Sequence, residues 1–153
     1  MEHTEPITLT NMCMIYDGNG NVLVEDKIVG DGHGYIFPGG HVEEHEPKTD
    51  SMIREIREET GLTISNPQLC GIKDWIEENG SRYMVFLYKT DCYSGELQSS
   101  SEGKVFWMPL EELKQAKPMW HLDQMLEIFC GNGYSELYFN KEQSHENYKP
   151  LLK

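Results

Sequence analysis

The order of elements along this chain predicts an α/β fold in one domain spanning residues 1–153. Three observations carry that expectation. Runs rich in β-forming residues alternate with segments of helical apolar spacing. The length of 153 residues encloses one sizeable core and is too short for two ordinary domains. Apolar residues at 38% and charged residues at 25% suit a folded globular chain, not a disordered one.

The elements follow in order. "ITLTNMCMIY" is β-rich, breaks at "DGNGN" and resumes as "VLVEDKIV", which reads as strand, Gly/Asn turn and strand. The next stretch, "GDGHGYIFPGGH", reads as a glycine-rich loop in which Pro38-Gly39-Gly40 halts regular structure. Between Pro47 and Thr60, Met52, Ile53 and Ile56 recur at helical spacing, with the proline in the first turn and Gly61 as the C-terminal stop. "QLCGIKDWIE", the turn "ENGS" and "RYMVFLYKTD" predict a hairpin. "KVFWMPL" predicts a short strand, "EELKQA" a brief helix after Pro109, and "LDQMLEIFC" a closing helix stopped by Gly131. There is no internal repeat and no low-complexity linker.

Composition narrows the function. The longest apolar run, "MVFLY" from Met84 to Tyr88, is far too short to span a membrane. The N-terminus has neither a basic start nor an apolar run of signal-peptide length, and the four cysteines form no C-x-x-C pair; a reduced, cytoplasmic setting is expected. A formal charge of −13, from 26 acidic and 13 basic residues, repels a phosphate backbone and argues against a nucleic-acid polymer as partner. A phosphorylated small molecule would need divalent cations between its charge and the protein's.

That condition bears on "REIREETG". On a helix, Glu55, Glu58 and Glu59 project from a narrow sector, where three carboxylates repel one another unless a cation intervenes. Hard divalent ions prefer such oxygen ligands. Taken alone, the cluster also fits a solvated face on which Arg54 and Arg57 offset the acids.

The longer run "GGHVEEHEPKTDSMIREIREETGL" resembles the Nudix box of pyrophosphohydrolases that act on nucleoside-diphosphate derivatives. Gly40, Glu46, Arg54, Glu55, Ile56, Glu58, Glu59, Gly61 and Leu62 occupy all nine fixed positions of that pattern. His45 and Pro47 depart from residues common in relatives and concern the loop and the helix start. The resemblance implies an α/β/α sandwich with a mixed sheet, and Mg²⁺ as cofactor, with Mn²⁺ as a substitute. It implies Glu58 and Glu59 as metal ligands with Glu55 beside them, an oxygen ligand from the Gly39 carbonyl, and Arg54 paired to Glu46 to hold loop against helix. The implied partner is a small nucleotide, and the implied state is monomer or homodimer.

Further residues stand outside the box. Glu102, in "SSSEGKVFW", is either an exposed loop acid or, by resemblance, an acid that binds a further metal or takes a proton from water. Lys27, Arg82 and Lys104 lie on predicted strands or their ends, where any of them can meet phosphate. His41 and His45 are expected to be solvated or loop-packed, with no third zinc ligand evident, and His33 and His121 can each meet phosphate or base. "PMWHLDQML" resembles the tail of oxidised-purine nucleotide hydrolases, which makes Trp120 a stacking platform and Asp123 an acceptor for the base; the alternative is a core aromatic and a dipole-favoured acid. Together these features imply hydrolysis of 8-oxo-dGTP to 8-oxo-dGMP and pyrophosphate. The same box serves ADP-ribose and dinucleoside-polyphosphate hydrolases, and a non-catalytic nucleotide sensor remains an alternative of another class.

Overall fold

The computed structural model describes residues 2–116, 119–141 and 149–153. In chain order its elements are β1 (Ile7–Ile15), β2 (Asn21–Val29), β3 (Gly32–Ile36), α1 (Lys48–Thr60), β4 (Thr63–Ser65), β5 (Gln68–Ile76), β6 (Arg82–Thr90), β7 (Cys92–Ser94), β8 (Gly103–Pro109), α2 (Leu110–Gln115), α3 (Leu122–Phe129), β9 (Glu136–Asn140) and β10 (Leu151–Leu152).

β1 shows why the layers stack as they do. Every residue from Thr10 to Ile15 is buried, so both faces of the strand are covered. Cys13 and Ile15 pack with Met52 and Ile56 of α1, while Met12 and Met14 join a second cluster with Met125, Leu126 and Phe129 of α3. The two helices therefore lie on opposite sides of a sheet ordered β1-β6-β5-β9-β10. That sheet is mixed: β1–β6 and β5–β9 are parallel, β5–β6 and β9–β10 antiparallel. The expected α/β/α sandwich is present. Met52 and Ile56 are fully buried, and each contributes ~1.5–3 kcal/mol by leaving water.

A second, antiparallel sheet, β3-β2-β8, carries part of the site. One expectation needs correction here. Residues 32–36, read as loop, form β3, because pairing with Glu25–Val29 of β2 outweighs the poor strand preference of Gly32 and Gly34. The strand, turn and strand over 7–29 are as expected, with Asp17 accepting the N–H groups of Asn19 and Asn21; the two strands enter different sheets and meet in a β-bridge at Tyr16–Val22. The β5–β6 hairpin, β8, α2 and α3 fall where the pattern puts them. β4, β7, β9 and β10 carry no signal strong enough to read.

α1 opens at Lys48 with Pro47 just outside it, and ends where Gly61 adopts a left-handed conformation at φ 78°. Among the described residues no helix is long and apolar enough to cross a membrane.

Candidate active site

The segment before α1 runs alongside β1. Cys13 and Asn11 donate their N–H groups to the carbonyls of Pro38 and Gly40, at 3.0 and 2.9 Å. Gly39 therefore faces the other way, and its own N–H donates to Glu59 Oε2 at 3.2 Å. The buried Asn11 side chain fixes the arrangement, accepting from Gly40 N–H at 3.0 Å and donating to Ser51 Oγ of α1 at 2.9 Å. A Cβ on Gly40 would lie 2.3 Å from the Glu55 carboxyl. Only glycine lets that carboxylate approach the loop.

Arg54 ties loop to helix. Its Nε and Nη2 donate to the two oxygens of Glu46, at 2.8 and 2.9 Å, and Nη2 also donates to the His41 carbonyl. Nη1 reaches Glu55 at 3.0 Å and Glu58 at 3.1 Å. The forked pair holds the Glu46 carboxyl well down, to about 2. Because that value is depressed from about 4.5, the pair's stabilisation is complete above pH 4.5 and drains away as pH falls toward 2. Thermal melts should show wild type losing Tm over that interval more steeply than Glu46→Gln. Arg54→Gln should cut activity by roughly ten- to a hundredfold. Strictly additive losses in the double variant would show the two residues are not coupled.

In front of this tie, Glu59 of α1, Glu25 of β2 and Glu102 before β8 bring carboxylate oxygens within 4.8 Å of one another. Glu25 and Glu59 are 1% and 4% exposed. Burial, then the Glu102 and Glu25 carboxyls, push Glu59 up to about 10. Burial likewise raises Glu25, whose Oε1 has no hydrogen-bond partner among the described residues. Glu102 moves down, held by its hydrogen bond to Glu59 and by Lys27, whose Nζ lies 3.6 Å away. Burial also raises Glu55 against the opposing pull of Arg54. Such a cluster is costly in isolation and is relieved by a hard cation. The residues present thus fit a divalent metal: oxygen donors only, one of them orphaned, with a backbone cradle at Gly39.

These acids line one end of a cavity of about 590 Å³, whose walls continue over Tyr83, Trp75, Lys73, Trp120 and Phe139. A model of the NUDIX domain matches residues 7–127. The chain belongs to the Nudix family. It is 40% identical over 109 residues to an uncharacterised Nudix hydrolase of Bacillus subtilis, YvcI, covering 68% of each protein. A 27% identity over 108 residues links it to the 8-oxo-dGDP phosphatase NUDT18 of Danio rerio, across 66% of this chain and 32% of that one. Its fold matches a crystal structure of a MutT protein of Bacillus halodurans with a TM-score of 0.77 and 26% identity, covering 94% and 97% of the two chains. Like other Nudix proteins it is a hydrolase acting on pyrophosphate bonds of nucleotide derivatives, a family that generally uses divalent cations.

Against this Nudix site the expected residues sort clearly. Gly39, Glu55, Glu59, Glu102, Lys27 and Trp120 all line the cavity. Glu58 does not; its side chain is 59% exposed and bound by Arg54. Asp123 sits exposed in the first turn of α3, also outside the cavity lining. Trp120 is 49% exposed at the rim and is no core aromatic. Arg82 is tied to Glu5 and Asp74, and Lys104 faces a small separate pocket with His33. His41 and His121 line the main cavity.

Sequence reasoning missed Glu25 and Lys73. Each is a charged residue in a strand whose neighbours are largely apolar, "VLVEDKIV" and "CGIKDWI", and each is buried. A charge set directly after apolar strand residues, Val24 before Glu25 and Ile72 before Lys73, is the signal that could have found them.

Proposed function

We propose that the chain is a Mg²⁺-dependent pyrophosphohydrolase of nucleoside triphosphates, with 8-oxo-dGTP, cleaved to 8-oxo-dGMP and pyrophosphate, as its preferred substrate. The observation that carries the reading is the cluster of the buried Glu25 and Glu59 with the exposed Glu102, opening into a cavity with aromatic walls. Glu59, Glu25 and Glu102 would hold the cation together with the Gly39 carbonyl, and Glu55 stands beside them. Glu58 would join by exchanging Arg54 for a metal. When bound, Mg²⁺ supplies charge screening of the diphosphate and a lower pKa for the attacking water, and Mn²⁺ can substitute.

The chain's own groups supply the rest. Water attacks phosphorus, the anhydride P–O bond breaks, and pyrophosphate leaves. Glu102, exposed and kept ionised by its hydrogen bond to Glu59 and by Lys27, would take the proton that water gives up. Lys27 also offers its ammonium to a phosphate oxygen. Arg54 and Glu46 keep loop and helix in register while charge develops. Trp120 presents a ring face at the rim, and base stacking there is worth about 1–3 kcal/mol.

The oxidised-guanine choice rests on the tail segment and on the likeness to the 8-oxo-dGDP phosphatase of Danio rerio. The enzyme would act on the cytoplasmic nucleotide pool, as monomer or homodimer. An assay of pyrophosphate or phosphate release from 8-oxo-dGTP, dGTP, dATP, ADP-ribose and diadenosine polyphosphates, with and without Mg²⁺, tests it. The expected result is Mg²⁺-dependent turnover that favours 8-oxo-dGTP. Preference for ADP-ribose or a dinucleoside polyphosphate would reassign the substrate, and a flat panel would favour a non-catalytic sensor.

A further inference from the structure

Lys73 occupies the middle of the five-stranded sheet, on β5 between β6 and β9, and is 4% exposed. Its ammonium donates to the Trp120 carbonyl and lies 5.1 Å from the Trp75 ring centre and 5.8 Å from that of Phe139. Among the described residues it forms no ion pair. Its neighbour Lys141 is itself paired with Glu77. A buried ammonium with three protons and one hydrogen bond is expensive unless a ligand completes it.

The surroundings point the same way. Trp120 and His121 both adopt left-handed backbone, at φ 55° and 64°, a conformation that side-chain-bearing residues seldom hold without a reason. Lys73 clamps that turn through the Trp120 carbonyl. His121 Nδ1, buried in the same cavity wall, also lacks a partner among the described residues. β5 lies two strands from β1 and the Gly39 loop, ~10 Å along the sheet, which leaves room for sugar and phosphate between this end and the carboxylates.

Given a nucleotide substrate, as proposed above, we infer that Lys73 selects the base: its ammonium donates to a carbonyl oxygen, so the cavity takes keto purines of the guanine and 8-oxoguanine type over 6-amino purines. An ammonium is donor only. A keto oxygen completes it, whereas a 6-amino group sets donor against donor and leaves the buried charge unpaired. Guanine and 8-oxoguanine share the 6-oxygen, so Lys73 separates both from adenine and does not separate them from each other.

Calorimetric titration in EDTA with nucleoside monophosphates tests this without turnover, since they carry no anhydride bond; a failure of hydrolysis appears only in the release assay. Wild type should bind dGMP at least about tenfold more tightly than dAMP, and than the 2-aminopurine deoxynucleotide, which lacks the 6-oxygen. Lys73→Met should bring the dGMP and dAMP affinities to within about twofold of each other. An unchanged ratio in Lys73→Met would overturn the assignment. So would equal wild-type affinity for dGMP and the 2-aminopurine nucleotide, or no dGMP binding at all, and that wild-type comparison stands even if the variant does not fold.

Discussion

Glu59→Gln is expected to lower kcat by about a thousandfold, ~4 kcal/mol of transition-state stabilisation, while leaving the fold intact. Glu59 is the best-buried carboxylate that α1 turns toward the cavity, and it sits between Glu25, Glu102 and the Gly39 N–H. Glutamine keeps its size and helix preference and removes the charge. The metal-free stability should move in the opposite direction to the activity. Glu59 titrates at about 10 in the fold against about 4.5 when exposed, so its contribution is complete below pH 4.5 and is lost as pH rises toward 10. In EDTA, wild type should therefore lose Tm between pH 5 and 8 relative to Glu59→Gln. Near-normal turnover of the variant at saturating Mg²⁺ would remove this helix from the catalytic assignment.

Gly39→Ala is expected to be the most destabilising single methyl in the site. Its Cβ would lie 2.0 Å from the Asn11 carbonyl oxygen and 2.8 Å from Met12 Cα, both backbone atoms of β1. Neither side can yield cheaply. β1 is sandwiched between two layers, and Asn11 is bound to Gly40 and Ser51. The loop must lift, taking the Gly39 N–H from Glu59. A loss of ~3–5 kcal/mol is expected, roughly 8–15 °C in Tm, with activity falling as well. Gly18→Ala, where an added Cβ meets nothing within 4 Å, is the control and should melt like wild type. A Gly39→Ala Tm within about 2 °C of wild type would contradict the close approach.

The helix and its acids were legible because their signals are local: Met52, Ile53 and Ile56 repeat with the helix, Gly61 stops it, and the box spacing fixes Glu46 against Arg54. Glu25 was not, because it meets Glu59 only when the β3-β2-β8 sheet folds against α1, a contact that no spacing within "VLVEDKIV" encodes. β3 was hidden for a similar reason, its glycines being overruled by pairing with β2. At the other end of the cavity, "PMWHLDQML" marked the right neighbourhood and mixed its members. Trp120 reaches the rim on a left-handed turn, whereas Asp123, three residues on, has entered α3 and faces away from the cavity lining. Helical phase separates the two, and that phase depends on where α3 begins.

Manganese binding, followed by loss of the free Mn²⁺ paramagnetic resonance signal, tests the central claim most directly, because it asks whether the buried carboxylates form a cation site without assuming any substrate. Wild type should withdraw Mn²⁺ from solution, and Glu25→Gln and Glu59→Gln should each weaken binding by at least about tenfold, more than the loss expected for a residue that only supports a ligand. Binding equal to wild type in both variants would show that these carboxylates do not hold the metal.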